Sequence, residues 1–362
     1  MAQMQMIAEH QIRSFDVALF DDFIAWIDRS EKTARSYLTN LRQFAAWLRY
    51  EQITDPIRDD IIRYREYLMH EHRCIQYDPD SSTGWKYRTD GNGSPLLITC
   101  KPNTVALYLR SVGQFFAWLD ANGIYPNIAT NIHAPKISQS RRHSRDALMP
   151  SEVYEIEQSI IANAINRAQD AYTEAQRQRL IEQGKRLHAI YLLAVTAGLR
   201  TIEISRANVR NLITIRGQHW LYVQGKGHAE PDAKKAISPE VADIITDYLR
   251  SRSDKISGNA PLFVATGNRS KGKRLASTTI STMLKRSMQE AGYNSDRLTA
   301  HSLRHTAGTA AMDLTGDLYQ VQRYMRHSNP ATTEIYLHND TDQQEASIAA
   351  NLYRYYQDAG RS

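Results

Sequence analysis

The sequence is poor in cysteine and has no long apolar segment, and each absence excludes a class of protein. Only two cysteines occur in 362 residues, Cys74 and Cys100, too few for a disulfide-built scaffold or a four-cysteine zinc site. A bridge between them would close one loop, but a reducing cytosol favours the thiols. Neither a secretion signal nor a run of about 18 apolar residues is present. We therefore expect a soluble cytoplasmic protein with no membrane partner.

The sequence also lacks an acidic excess and the motifs of nucleotide-dependent enzymes. Lysine and arginine number 45 against 39 acidic residues, and the net charge of +6 suits a polyanionic partner such as nucleic acid without requiring one. Neither common glycine-rich phosphate loop is present, and no pair of carboxylates has the context of a two-metal nuclease. With 42% hydrophobic residues, the chain has enough apolar material for two cores.

The first half contains two amphipathic helices of similar sequence. In both, apolar residues recur at steps of three and four residues, behind Thr33 in one and Thr104 in the other. Further helical segments lie around Phe15 to Asp28 and Asp59 to His72, so residues 1–134 predict a four-helix bundle whose aromatic residues form the core. The matching positions are Tyr37, Leu38, Leu41, Phe44, Trp47 and Leu48 in the first helix and Tyr108, Leu109, Val112, Phe115, Trp118 and Leu119 in the second.

Residues 74–101 interrupt the helical pattern inside this bundle. The segment is rich in Gly, Pro, Asp and Ser, and Asp90-Gly91 offers a turn, so it predicts an inserted loop or a short hairpin. At its centre, aromatic residues alternate with cations, which suits contact with DNA and equally suits a solvated loop. These residues are Trp85, Lys86, Tyr87 and Arg88.

A basic segment without an apolar period, residues 135–147, separates the two halves of the chain. Its composition is typical of an interdomain linker. We expect it to follow the DNA backbone rather than to act as a plain solvated tether, because its positive charges would neutralise phosphates. Those charges belong to Lys136, Arg141, Arg142 and Arg145.

Residues 148–340 predict a second domain, in which helices surround a small antiparallel sheet. Three short alternating segments give strands at Leu212 to Ile215, His219 to Val223 and Ala233 to Ile237, with Gly225-Lys226-Gly227 in the turn before the third. The helices are expected at Ser151 to Ile161, along a polar stretch from Asn163 to Gln183, at Leu187 to Ala197 ended by Gly198, and at Pro239 to Leu249, Thr278 to Ala291, Ser302 to Leu314, Leu318 to Met325 and Ala331 to Tyr336. Residues 341–362 add an amphipathic terminal helix with Ile348, Leu352 and Tyr355 on one face.

Cationic and histidine side chains are concentrated in this second half. His301, Arg304 and His305 fall at positions i, i+3 and i+4, so they project from one helix face, with Gly308 next on it and an apolar stripe from Leu303 to Leu314 opposite. Such a face invites close approach of an anion. Two alternatives stay open for the histidines: a zinc pair, although the glutamate of H-E-x-x-H is missing between them, and a purely structural role.

Four separated segments carry a specific resemblance to the tyrosine recombinase, or phage integrase, family. Their order, residue types and intervals all agree with its signature boxes, and the N-terminal helix repeat is similar to its core-binding bundle. The fold class that this implies is mainly α with a small antiparallel β-sheet: a helical core-binding bundle followed by a mixed α/β catalytic domain, in a two-domain Xer-like plan. The segments are TAGLRTIE at 196–203, QGKG at 224–227, HSLRH at 301–305 and MRHSNPATTEIY at 325–336.

The resemblance implies a role for each matching position. The nucleophile would attack a DNA phosphate and form a 3′-phosphotyrosine bond, which stores the energy of the broken strand, so no metal, ATP or other cofactor is expected. The implied roles are nucleophile for Tyr336, phosphate-clamping arginines for Arg200 and Arg304, mobile turn lysine for Lys226, histidine-box residues for His301 and His327, orienting carboxylate for Glu203 and noncatalytic companion for His305.

The same resemblance implies partners and leaves alternatives. A site-specific recombinase, a DNA strand transferase acting in integration, excision or dimer resolution, would work as a homotetramer on two duplex recombination sites in the nucleoid. The terminal helix could then dock on a neighbouring subunit, and an accessory directionality factor could assist. A type IB topoisomerase uses nearly the same residues, and a catalytically idle DNA-binding regulator would share the fold.

Overall fold

The chain folds as two compact units, residues 1–141 and 142–362. The computed structural model describes residues 17–70, 75–96, 99–135, 147–225, 230–254, 256–267 and 269–326. The boundary between the units falls within the predicted linker, whose four cations, Lys136, Arg141, Arg142 and Arg145, lie outside the described residues. No described helix is long and apolar enough to cross a membrane.

The first unit is a bundle of helices built on an aromatic core. Large rings from several helices are fully buried, and pairs such as Phe44 and Tyr64, whose ring centroids are 4.9 Å apart, pack edge to face. Both copies of the sequence repeat direct their apolar positions inward, with Trp47 and Trp118 buried. The interpretation of these aromatics as core is therefore confirmed. The described helices are α1 (Val17–Trp26), α2 (Glu31–Tyr50), α3 (Arg58–His70) and α4 (Pro102–Ala121).

A hairpin occupies the segment that interrupts the bundle. Strands β1 (Ile75–Tyr77) and β2 (Trp85–Tyr87) pair antiparallel, and a second turn follows in which the Asp90 carbonyl accepts from Gly93 N at 3.1 Å. Side chains alternate across a strand, so the two aromatic rings of β2 pack on the bundle core while Lys86 and Arg88 are exposed. The alternation of rings and cations in the sequence is thus a strand pattern.

The second unit surrounds a three-stranded antiparallel sheet with helices. The sheet order is β3-β4-β5, with Leu212 opposite Leu221 and Val223 opposite Ala233. All three predicted strands are present, and the predicted helix at 318–325 matches residue for residue. The strands are β3 (Leu212–Ile215), β4 (Gln218–Val223) and β5 (Ala233–Ile237), and the helices are α5 (Pro150–Gln169), α6 (Glu174–Val195), α7 (Thr201–Arg206), α8 (Pro239–Ser251), α9 (Ser277–Glu290), α10 (Ala300–Thr315) and α11 (Leu318–Met325).

Two helix boundaries predicted for this unit are wrong: the helix end at Ile161 and the junction between Gln183 and Leu187. The helical backbone is interrupted instead at residues 170–173, where the Thr173 hydroxyl caps α6 by accepting from Gln176 N at 3.1 Å. From there one helix runs through the predicted junction before Leu187. Gly184 lies inside it because α5 and α6 approach closely there: a Cβ on this residue would lie 2.4 Å from the side chain of Ala164. The glycine serves helix contact and does not end a helix.

The core of the second unit has a main part and a smaller part. The main part joins the buried end of α6 to the sheet and to α8, α9 and the start of α10. A smaller cluster between α10 and α11 consists of Ala307, Met312, Val321 and Met325. Leu314, which the apolar stripe placed inward, is instead 86% exposed beside this cluster, so that part of the pattern was wrong.

Candidate active site

Arg200 stands where the chain turns from α6 into α7. Gly198 makes that turn with φ +60°, a conformation that favours glycine, and a Cβ there would lie 3.0 Å from the sulfur of Met325, so that a larger residue would also have to displace this side chain. Arg200 then caps α7, its N–H donating to Glu203 Oε2 at 2.8 Å and its Nη1 to Oε1 at 3.1 Å. Because Glu203 is fully buried and the Arg200 side chain is 37% exposed, the carboxylate orients a guanidinium that still reaches solvent.

Arg304 is buried on α10 and joins two segments that carry other predicted site residues. Its Nη1 donates to the carbonyl of Gly198, and its Nη2 donates to the carbonyl of Met325. Gly198 lies two residues before Arg200, and Met325 lies two residues before His327. The side chain is 3% exposed. One guanidinium therefore fixes the backbone beside the first arginine and the backbone that leads to the second histidine.

The two histidines of α10 have different surroundings. His301 is exposed in the first turn of the helix, where its N–H donates to the capping Thr299 hydroxyl at 3.2 Å. His305 is buried, and the two imidazole centroids lie 5.1 Å apart at an interplanar angle of 86°. Gly308, the next residue on this face, is also buried. The cationic face is therefore not open along its length, as the sequence pattern suggested, but only at its His301 end.

Two cations that the sequence analysis missed complete this cluster. Arg326, in the left-handed region at φ 53°, ends α11 and forms an ion pair with Glu203, its Nη2 lying 2.7 Å from Oε1 without hydrogen-bond geometry. Lys235 of β5 is 4% exposed. Burial, followed by the positive charges of Arg326 and Arg304, lowers the pKa of Lys235 to about 7, and Glu203 opposes the change.

A sequence signal for Lys235 did exist. Along β5, Ala233, Lys235 and Ile237 alternate with exposed residues, so strand periodicity directs the lysine to the same face as its apolar neighbours. No comparable local signal marks Arg326, since its partner Glu203 is distant in sequence and the left-handed helix end would favour glycine.

Three predicted site residues, Lys226, His327 and Tyr336, lie outside the described residues. The structure describes the base of the turn that carries the lysine: Gly225 N donates to Asp232 Oδ1 at 2.6 Å, and the Gly225 carbonyl accepts from Arg206 Nη1 at 2.7 Å. Within the described ranges, no group of three or more His, Cys, Asp or Glu side chains could hold a metal ion.

Comparison with known proteins agrees with this fold. Residues 162–343, just over half of the sequence, match the phage integrase family. The chain therefore belongs to the phage integrase family and is a tyrosine-type site-specific recombinase. It is similar to the tyrosine recombinase XerC of Corynebacterium efficiens, with 29% identity over 319 residues that cover 88% of this chain and 84% of that one.

Two further similarities are more limited. A tyrosine recombinase of Synechococcus elongatus is 34% identical over 159 residues, 44% of this chain, which spans about half of that relative, 48% of its length. The solved structure of the XerH site-specific recombinase bound to palindromic difH substrate, a post-cleavage complex, superposes with a TM-score of 0.60 at 16% identity, covering 97% of this chain and 93% of that one. At this identity the structural likeness shows the shared fold.

Proposed function

We propose that this recombinase cleaves and rejoins duplex DNA at a specific site through Tyr336. The phenol oxygen forms a bond to the scissile phosphorus, the bond from phosphorus to the 5′ oxygen breaks, and a 3′-phosphotyrosine link and a 5′ hydroxyl result. The observation that carries this proposal is the position of Arg304, whose guanidinium joins the backbone next to Arg200 and the backbone next to His327.

Charge stabilisation is the part of the reaction that the described residues support directly. In the five-coordinate transition state the equatorial oxygens hold extra negative charge, which preorganised guanidinium groups stabilise. We assign this role to Arg200, held by the buried Glu203, and to Arg304, held by two carbonyls. These groups are fixed before substrate arrives, so little reorganisation is needed at the moment of reaction.

Proton transfer completes the proposal. A tyrosine ionises near pH 10 in water, at about three units above neutrality, so Tyr336 needs a proton acceptor, and we assign His301, the exposed histidine of α10. The departing 5′ oxygen needs a proton, which Lys226 would deliver from its glycine-flanked turn. His327 would hydrogen-bond a nonbridging oxygen. His305, which is buried against His301, would support the ring without touching substrate.

The proposal predicts a covalent protein–DNA complex that forms without metal. On a nicked suicide substrate, which releases a short fragment after cleavage and so prevents rejoining, wild-type protein should accumulate a linked species that survives denaturation. EDTA should not reduce its yield, because no step of the proposed reaction requires a metal ion. The species is measured by denaturing gel electrophoresis with labelled DNA. Absence of any linked species on the correct site would contradict the proposal.

DNA contacts outside the cleavage site are proposed from charge and exposure. We expect the bundle, residues 1–134, to bind one face of the duplex, the linker 135–147 to follow its backbone, and the catalytic domain 148–340 to cover the scissile phosphate. Lys86 and Arg88 are exposed on the hairpin. Since each neutralised phosphate releases counterions, these contacts would make affinity strongly dependent on salt. Lys86 already pairs with Asp78 at 3.2 Å, so Arg88 should contribute more.

Assembly into a DNA-bound tetramer is proposed from a groove on the second unit. An apolar groove of 720 Å³ lies between the end of α6, α10 and α11, and its lining includes Ala307, Ala310, Leu314 and Val321. We propose that the terminal segment 341–362 of a neighbouring subunit fills it. The apolar face predicted for that segment would match the apolar lining. An accessory directionality factor, and action at the nucleoid in the cytoplasm, belong to the same proposal.

Removing the apolar contact at this groove should block assembly without blocking DNA binding by single subunits. Leu314→Gln, at a residue 86% exposed in the described chain, should abolish the slow-migrating synaptic complex in a native gel. A chain truncated after residue 340 should behave in the same way. Tyr172→Gln is the control. Tyr172 is 95% exposed in the turn before α6 and does not line the groove, so this variant should leave synapsis unchanged. Normal synapsis by the Leu314 variant would exclude the groove.

A further inference from the structure

We infer that Lys235 is a positioning residue of the recombinase, which holds the end of α11 in the place from which the chain continues to His327 and Tyr336. The inference deepens the proposed function and rests on it. Three consecutive residues, Tyr324, Met325 and Arg326, form what we call the anchor segment. His327 follows it directly, and Tyr336 follows twelve residues after Tyr324.

Tyr324 is held at both ends of its side chain and at its backbone. Lys235 Nζ donates to the Tyr324 carbonyl at 2.5 Å and lies 3.3 Å from the centre of the Tyr324 ring, so one ammonium makes a hydrogen bond and a cation–π contact with the same residue. The Tyr324 hydroxyl donates to the carbonyl of Thr196, at the end of α6. The end of α11 is thereby tied to β5 and to α6.

The other two anchor residues are tied to different elements. The Met325 carbonyl accepts from Arg304 of α10, and its side chain is fully buried against Gly198. Arg326 pairs with Glu203 of α7 and keeps a left-handed conformation that costs a non-glycine residue about 1 kcal/mol or more. Such a conformation persists where the surroundings overdetermine it. Contacts from four elements do so here.

A lysine is a costly choice for a purely structural contact at this position. Its charged form must leave water, and two arginines lie close enough to raise that cost further. A neutral hydrogen-bond donor could satisfy the Tyr324 carbonyl without the cost of burying a charge. A buried cation next to Arg304 and Glu203 gains when a DNA phosphodiester, which carries one negative charge, binds at the same cluster, because the opposite charge offsets the cost of desolvating the cation. The location of Lys235 therefore favours a role linked to the bound substrate.

A pair of lysines on one strand provides a matched test. Lys235→Met keeps the length and packing of the side chain and removes the donor, whereas Lys234→Met makes the same change at the exposed neighbour, whose Nζ lies over Trp220. Lys235→Arg restores a charged donor. We expect Lys235→Met to bind its DNA site within about twofold of wild type and to cleave about ten- to a hundredfold more slowly, the loss typical of a displaced catalytic group. Lys234→Met should match wild type.

The measurements are DNA affinity by gel shift at fixed salt, the single-turnover rate of covalent complex formation, and the thermal midpoint. A structural role alone would change affinity, stability and rate together, and Lys235→Arg would not selectively recover the rate. If the inference is right, Lys235→Arg should recover most of the cleavage rate that Lys235→Met loses. If Lys235→Met does not fold, Lys235→Leu replaces it: this variant also removes the donor to the Tyr324 carbonyl and the cation–π contact, and it should show the same slower cleavage at unchanged affinity.

Two outcomes separate failure of this inference from failure of the proposed function. Wild-type cleavage by folded Lys235→Met, or by Lys235→Leu when the first variant is unfolded, overturns the inference, provided that Tyr336→Phe is inactive in the same assay. Covalent capture by Tyr336→Phe overturns the proposed function itself.

Discussion

Tyr336→Phe is expected to abolish covalent capture of DNA, a loss of about ten-thousandfold or more, as for removal of other enzymatic nucleophiles. The substitution removes one hydroxyl and leaves the ring, so affinity for the recombination site should be unchanged. Denaturing gels on the suicide substrate measure the capture, and gel shift measures the affinity. The arginine cluster cannot compensate for this loss. It stabilises the charge of the five-coordinate transition state, and that state cannot form without the attacking oxygen of Tyr336.

The matched control for this prediction is Tyr319→Phe. Tyr319 belongs to α11 and is 66% exposed, and loss of its hydroxyl should leave capture at the wild-type level. A substrate with sulfur in place of the 5′ bridging oxygen adds a second comparison. Sulfur leaves without a proton, so it should rescue Lys226→Ala while Tyr336→Phe stays inactive. Capture by Tyr336→Phe would mean that another residue is the nucleophile.

The fold was predictable wherever local pattern and tertiary packing agree. Strands β3, β4 and β5 follow the alternation of their side chains, and α11 follows a short helical period bounded by the capping Asp317 and a buried Met325. Burial of Trp47 and Trp118 followed from helical spacing alone. In these segments the residues that face the core are the same residues that local periodicity selects.

The wrong predictions arose where packing against another element decides the outcome. The predicted junction between Gln183 and Leu187 contains Gly184, but this glycine lies inside α6 and allows α5 and α6 to approach. Leu314 continues an apolar stripe and yet is exposed, because α10 extends past the small cluster that covers its earlier turns. Neither outcome is visible from one helix considered by itself.

The candidate site shows the same division. The motif at 301–305 identified its residues, but the burial of Arg304 depends on carbonyls from Gly198 and Met325, which lie far from it in sequence. Lys235 and Arg326 belong to the cluster only through contacts between β5, α7 and α11. Resemblance to a family transfers residues at matching positions, whereas the residues that hold them are found from the fold.

Arg200→Ala and Arg304→Ala should both slow cleavage by about a hundredfold or more, the usual effect of removing one preorganised donor, but they should differ in stability. Arg200 is partly exposed, and its loss leaves Glu203 paired with Arg326. Arg304 is buried, and its loss leaves two carbonyls without this donor, each unsatisfied buried group costing about 1–3 kcal/mol. Urea unfolding should therefore show a lower free energy of unfolding for Arg304→Ala than for Arg200→Ala.

This difference allows the chemical effect to be separated from the structural one. Arg286→Ala, at an exposed arginine of α9 that pairs with Glu290 at 2.7 Å, is the control and should preserve both cleavage and stability. Arg200→Lys keeps the charge but not the planar fork that matches phosphate oxygens, so it should remain well below wild type. If folded Arg200→Ala cleaved near the wild-type rate, the guanidinium beside Glu203 would not contact the scissile phosphate. The catalytic charge would then have to come from Arg304 and the buried cations around it.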